Sequence, residues 1–370
     1  MLSQEGGSSK LSESSASFTV LGAGVIGLMT ANELASQGHQ VNVIAREGQP
    51  SMDTDSTSSN AIGQFLPFLP EDHASTVMQG EIIDELDKIV GVSREFYSRL
   101  ATNPEETGVM PLRNIELVSD ELGWPTGLAE AMNVESRVLR PEITLKGHED
   151  RPLVVTEEYV FDTFSINARK AVAYLANLAK EKGVVFQNGS VKPEDLERLK
   201  GIVINSTGLG ALELTGDQDI RHYKGHTFVI RPGKGRKAPT EAISVDDLII
   251  MPREDGTVIA GALYLENPSR PVPEEKEATE LLDRLTDMAD KTAHLVDGLE
   301  PELFSKGDIL VHSSGYRVVI DTGGVRVVPD KRLEHVLHAY GFSGIGWSVG
   351  PSFARKIADQ AVQMKNRINN

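Results

Sequence analysis

The chain has 370 residues, 39% hydrophobic and 25% charged, with a formal net charge of −17 and no cysteine. That length accommodates two interleaved domains and a core able to enclose a large cofactor, and the composition is that of an ordinary globular protein. The acidity argues against a nucleic-acid partner, which draws on clustered Lys and Arg. The lack of cysteine excludes disulfides, thiolate metal sites, a cysteine nucleophile and a cysteinyl flavin. Apolar runs such as Leu248-Ile249-Ile250-Met251 fall far below membrane-spanning length.

Residues 1–16, rich in Ser and Gly, lack the apolar core of a secretion signal and are expected to form a mobile tail. The terminal Arg367-Ile368-Asn369-Asn370 does not match a peroxisomal address, so the cytoplasm is the expected location. Residues 17–21 are short and β-prone and run directly into glycines, as a buried strand entering a tight turn would. From Val25 the apolar spacing becomes helical until Gly38, and Val41–Ala45 reads as a second strand. This is a βαβ unit, which requires a parallel sheet.

Segment 51–60, dense in Ser, Thr and Asp, is expected as a loop near a cofactor. Helical spacing follows at 78–102. Residues 105–157 offer short strands such as Ile115–Val118, with prolines marking turns. A helix near 168–182 and strands at 184–186 and 202–205 come next. His226–Arg231 and Val258–Leu263 are strand-like and are expected to join through the turn Arg253–Gly256. Residues 274–297 read as an acidic, solvated helix, and the chain finishes as strand 336–340, a glycine-rich loop and helix 353–365.

The loop Gly22-Ala23-Gly24-Val25-Ile26-Gly27 follows a strand and opens a helix. Its first glycine permits the turn, the second admits a pyrophosphate, and the third lets helix and strand pack closely. Glu47 stands twenty residues beyond Gly27, where a ribose-binding acid belongs, and Arg46 beside it is the alternative contact for adenine or phosphate. This is a Rossmann-type dinucleotide fingerprint, shared by NAD and FAD. Two further elements favour the longer FAD: Thr207-Gly208 after strand 202–205, and the small residues from Gly341 to Ser348 before the last helix, a nest of N–H groups suited to a reduced flavin's charge. His226 and His312 lack metal-ligand spacing, and no metal site is expected.

Taken in order, Gly22–Gly27, Ala45-Arg46-Glu47, Ser59–Pro67, Asn205–Gly208, Gly225-His226, Ile249–Pro252, Gly261–Tyr264, Gly315-Tyr316-Arg317 and Gly341–Ser348 resemble the D-amino-acid oxidase family of flavoproteins. The resemblance runs from Phe18 to about Lys365 and is nearest to fungal-type members. It implies an α/β fold in which a Rossmann-type FAD-binding domain (17–70, 158–215 and 320–370) is interleaved with a β-rich α+β substrate domain (71–157 and 216–319). It implies non-covalent FAD held by Gly22, Gly24, Val25, Ile26, Gly27, Arg46, Glu47, Ser58, Ser59, Ala61, Gly63, Gln64, Thr207, Gly208, Arg317 and the run Ser343, Gly344, Ile345, Gly346, Trp347, Ser348.

For the substrate, the resemblance places Arg317 as a two-pronged carboxylate clamp assisted by Tyr264, with Ile249, Phe65 and Trp347 lining the pocket. Ile249 stands where such members carry a second tyrosine, and Phe342 and Ser343 replace the usual histidine and glycine, so a reshaped pocket is expected. The implied reaction is hydride transfer from the α carbon of an amino acid, most often a D-amino acid, to flavin N5. Oxygen then reoxidises the flavin to give hydrogen peroxide, and no obligatory base takes part. A secondary amine or specialised metabolite as substrate, a nicotinamide dehydrogenase and a non-catalytic flavin binder remain as alternatives.

Overall fold

Strands β1 (Phe18–Leu21) and β2 (Val41–Ala45) lie parallel with Phe18 opposite Val41, and α1 (Val25–Ser36) crosses between them. The computed structural model describes residues 17–66, 85–119, 128–147, 151–261, 265–266, 274–321 and 324–370. The expected tail 1–16, the start of the helix expected at 78–102, and Tyr264 lie outside the described residues. Within them, helix α2 (Leu86–Leu100) occupies the later part of that expected helix.

The parallel sheet continues outward from β1 and β2 through β6 (Val185–Asn188), β7 (Ile202–Asn205), β14 (Arg326–Pro329) and β15 (Val336–Tyr340), in the order β14-β15-β7-β1-β2-β6. Only β14 runs antiparallel to its neighbour. Both faces are covered, which is why these strands read as unbroken apolar runs. On one face Phe18 and Val20 pack with α1, α2, α3 (Ala168–Glu181) and α5 (Gly346–Ile368). On the other, Leu21, Ile44 and Val203 meet Leu196 and Leu214.

A second, mixed sheet holds β3 (Val109–Ser119), β4 (Glu135–Lys146), β5 (Pro152–Ile166), β8 (Ile220–Ile230), β9 (Ala242–Val245), β10 (Leu248–Pro252), β11 (Val258–Gly261), β12 (Leu265–Glu266) and β13 (Ile309–Ile320). Its order is β12-β8-β11-β10-β9-β3-β5-β4, with β13 on the free side of β8. Side chains alternate across this sheet with period two. Ile115, Leu117, Ile243, Val245, Ile250, Val258 and Phe228 face helix α4 (Glu275–Thr292) and its Leu281, Leu285 and Met288. The opposite face carries Asn114, Glu116, Ser244, Ile249, Thr227 and Ser313, related by direct cross-strand pairing.

Several local expectations are corrected. The turn Arg253–Gly256 closes β10 onto β11, rather than joining β8 to β11, although those two strands do pair. Among the described residues of 105–157, the long strands β3 and β4 run through Pro111 and Pro141 instead of turning at them. Pro111 sits where β9, which pairs only with residues 114–117, does not reach, and Pro141 sits at an irregularity of the edge strand β4. Helix α4 is not simply solvated: beneath its acids runs the apolar stripe just named, and Arg284 is fully buried against Asp247. Strand β5 crosses from the segment expected in the substrate domain into 158–166, expected in the cofactor domain, while α2 supplies Leu86, Ile89 and Tyr97 to the core of the parallel sheet.

The last helix begins at Gly346, seven residues earlier than its spacing predicts, and keeps Pro351 inside it. A proline cannot donate to the carbonyl four residues back. That carbonyl belongs to Trp347, and it accepts the hydroxyl of the fully buried Tyr97 instead.

Candidate functional site

Because β15, β7, β1 and β2 are parallel neighbours, their carboxyl ends share one edge, and each is followed by a segment singled out from the sequence. Along that edge they stand in the order 341–348, 207–208, 22–27 and 46–47. Three strand spacings, about 14 Å, separate the outer two. Ligands of open parallel sheets bind at this edge, and a row of such segments suits an extended dinucleotide rather than a compact ligand.

The residues present fit such a group. Gly22 has φ +97°, and a Cβ there would lie 2.6 Å from the Ser206 carbonyl oxygen. At Gly27 a Cβ would fall 2.1 Å from the Gly22 oxygen, so helix and turn are in contact. Helix α1 has Gly24 as its N-cap, no capping side chain and no acid in its first turn, which leaves its positive end uncompensated by its own residues. The Val25 N–H donates to Ser58 Oγ at 2.9 Å, tying loop 51–60 to this turn. Gly208, at φ +60°, has nothing within 4 Å of where a Cβ would be. Arg46 and Glu47 are exposed just beyond β2.

Where this edge meets the polar face of the mixed sheet there is an open cavity of about 210 Å³. Val25, Ser58, Ala61, Gly63, Gln64, Ser343, Gly344, Gly346, Trp347 and Ser348 border it from the parallel-sheet side, and Glu116, Ser244, Ile249 and Arg317 from the mixed sheet. Loop and turn are fastened together: Trp347 Nε1 donates to the Ser58 carbonyl at 3.1 Å, Ser348 Oγ donates to the Gln64 carbonyl at 3.1 Å, and the Leu66 N–H donates to Ser348 Oγ at 2.9 Å. Asn60 Nδ2 donates to the Ser314 carbonyl at 3.1 Å, holding the same loop against β13.

Three expected site residues turn their side chains away from the cavity. Phe65 is fully buried against Tyr97 and Phe164, with ring centroids 5.7 and 6.1 Å away, because extended chain alternates and Gln64 takes the cavity side. Ser59 turns inward, its hydroxyl donating to the Thr54 carbonyl at 2.7 Å and closing the loop. Ile345 is 1% exposed and belongs to the core beneath the turn. Tyr264 lies outside the described residues.

A polar group missed in the sequence sits at the cavity's far wall. Gln64 Nε2 donates to Asn114 Oδ1 at 3.0 Å, Asn114 Nδ2 donates to Ser244 Oγ at 3.0 Å, and Ser244 Oγ donates to the Glu116 carboxylate. Burial pushes the Glu116 carboxyl up to about 7, Asp246 adds to the rise, and the hydrogen bonds from Ser244 and Asn114 oppose it. The available signal was an acid at an alternating position inside a strand whose other residues, Ile115 and Leu117, are core. On the sheet's other face His226 lies 2.9 Å from Glu277 and 3.0 Å from His312, and burial brings its imidazole down to about 4. Among the described residues no cluster suited to a metal ion occurs, and none of their helices is long and apolar enough to cross a membrane.

A family model for FAD-dependent oxidoreductases, DAO, matches residues 17–360. The chain belongs to this family. It is therefore a flavoenzyme that uses FAD, of the amino-acid and amine oxidase kind. It is 27% identical over 347 residues to a D-amino-acid oxidase of Streptomyces coelicolor, covering 92% of this chain and 94% of that one. It shares its fold with glycine oxidase from Bacillus cereus, at TM-score 0.67 and 16% identity, covering 95% of this chain and 98% of that one. An iminodiacetate oxidase from Chelativorans has the same fold, at TM-score 0.63 and 16% identity, covering 94% and 95%.

Proposed function

We propose that this enzyme oxidises an α-amino acid, with D-amino acids the leading candidates, at the α carbon. The product is an imino acid that hydrolyses to the 2-oxo acid, with oxygen as final electron acceptor and hydrogen peroxide as product. The observation that carries this reading is one shared cavity: the strand bearing Arg317 and the glycine-rich turn 343–348 border the same space. FAD, when bound, supplies the two-electron acceptor for the α C–H bond.

The chain's own residues do the positioning. The turn 22–27, Thr207-Gly208, and Arg46 or Glu47 would hold the pyrophosphate and ribose end. Ala61, Gly63, Gln64 and the turn 343–348 would hold the ring end. Arg317 would grip the substrate carboxylate through two parallel hydrogen bonds, with Tyr264 as the proposed second donor, which fixes the α carbon in one orientation. Ile249 and Trp347 present apolar walls that exclude water.

A second reading, oxidation of a secondary amine, is favoured by Ile249, which lacks the hydroxyl that fungal-type members place there, and by the fold shared with a protein named iminodiacetate oxidase. Anaerobic addition of D- and L-amino acids and their N-alkyl derivatives tests both. Bleaching of the flavin by a D-amino acid supports the first, and bleaching by N-alkyl derivatives alone supports the second.

A further inference from the structure

Resting on that reading, we infer that Asn60 is a positioning residue for the reaction. It registers the loop bordering the ring end of the cofactor site against the strand that carries Arg317, and so sets where the ring stands relative to a substrate held by Arg317.

Asn60 borders the cavity, and every polar atom of its side chain is engaged. Nδ2 donates to the Ser314 carbonyl of β13 at 3.1 Å, three residues before Arg317, and to Asp55 Oδ1 of its own loop at 2.7 Å. Oδ1 accepts from Arg169 Nη2 at 2.6 Å, and Arg169 belongs to α3, which packs on the parallel sheet. The backbone adds two ties: the Asn60 N–H donates to the Ser56 carbonyl at 2.9 Å, and the Asn60 carbonyl accepts from Thr227 Oγ1 of β8 at 3.4 Å. One residue thus joins its loop to both sheets. The amide has a single workable orientation, because turning it over would set its oxygen against a carbonyl and a carboxylate.

The two sides it joins differ in stiffness. β13 is paired with β8 from Ile309 to Ile320, whereas segment 51–60 contains no strand or helix and is held by single bonds, such as the Val25 N–H to Ser58 Oγ and Trp347 Nε1 to the Ser58 carbonyl. Loop and strand are in contact at Gly315, where a Cβ would lie 3.5 Å from Thr57 Cα and 3.8 Å from Asn60 Cβ. Cutting the Asn60 bonds therefore moves the loop and leaves the strand in place. The chain runs on from Asn60 into Ala61, Gly63 and Gln64, so the shift falls on the cofactor side while the Arg317 side keeps its grip. Reaction requires the two reacting atoms within about 3–3.5 Å, and a misplacement of about 1 Å costs up to about 100-fold in rate.

The test uses FAD-loaded wild type, Asn60→Ala and Asn60→Asp. The aspartate keeps the shape and the acceptor for Arg169 but turns an oxygen toward the Ser314 carbonyl and Asp55. Both variants are expected to lower the rate of flavin reduction at saturating amino acid by about 10- to 100-fold, with the half-saturating concentration changed less than about threefold. Binding of pentanoate, a carboxylate without an amine, is expected to stay within the same threefold, and the visible circular dichroism of the bound flavin to change in both. Arg169→Met, which removes the tie to α3 alone, is expected to show the same split at about fivefold, the size of one hydrogen bond, and serves if the Asn60 variants lose FAD. A wild-type rate at saturation, a loss confined to substrate binding, or an Asn60→Asp enzyme that behaves as wild type would overturn the inference while leaving amino-acid oxidation intact. If no amino acid reduces the wild-type flavin, the oxidase reading fails. The dichroism then decides: a changed signal supports the placing of the ring by Asn60, and an unchanged one overturns it.

Discussion

Glu116 is subject to opposing demands that a pH experiment can separate. Its carboxyl, at about 7 in the folded chain against an ordinary value of 4.5, keeps its proton where an unfolded glutamate has lost it. Folding therefore takes up a proton between those values, and stability falls as pH rises through that window and stays lower above it. Glu116→Gln removes this titration. The variant is expected to melt at a higher temperature than the wild type at pH 8 and at the same temperature near pH 4, as thermal denaturation of the FAD-loaded protein would show. An equal difference at both pH values would mean that the gain comes from packing rather than from the charge. The place of Arg317 at the cavity was legible in the sequence because a guanidinium beside Gly315-Tyr316 fits a known pattern. Glu116 was not, because its meaning depends on β9 and β10 placing Ser244 and Ile249 beside it.

At the scale of elements, the βαβ unit was legible because glycines, strand and helix follow one another locally. Gly27 makes this testable: a Cβ 2.1 Å from the Gly22 oxygen meets backbone, which cannot rotate away. Gly27→Ala is expected to purify without colour, or with much less bound FAD per chain in its visible spectrum, and full retention of FAD would contradict the close packing. Elements set by distant partners were less legible. Helix α5 tolerates Pro351 because Tyr97, from α2, takes up the Trp347 carbonyl that the proline cannot pair with. Tyr97→Phe leaves that buried acceptor unpaired and is expected to cost about 1–3 kcal/mol. Chemical denaturation would measure this as a lower midpoint, and an unchanged midpoint would show that the bond contributes nothing net. The same dependence on partners explains the strands through Pro111 and Pro141, whose tolerance comes from which neighbouring strand is absent or irregular at that residue.

At the scale of the whole molecule, two sheets meet at one cavity, the parallel one offering its carboxyl edge and the mixed one its polar face. Helix α4 backs the mixed sheet and is tied to it by buried charges, Arg284 with Asp247 and Glu277 with Lys224 at 2.8 Å. Composition read this helix as surface because its acids outnumber its apolar stripe, yet Arg284 is 1% exposed. Arg284→Ala strands Asp247 without its partner at the cavity rim and is expected to cost about 3–5 kcal/mol, read as a lower denaturation midpoint. A loss under about 1 kcal/mol would place the pair in the class of weak surface bridges. The central claim, that Arg317 presents a substrate carboxylate to FAD across this shared cavity, is tested most directly by anaerobic titration of the purified yellow protein with amino acids, followed at the visible flavin band. The account predicts bleaching by an amino acid in the wild type, and in Arg317→Ala either none or bleaching only at about 100-fold higher concentration, as loss of a two-pronged charged contact would give. A flavin that no amino acid or N-alkyl amino acid reduces, or one that Arg317→Ala reduces as readily as the wild type, would contradict it.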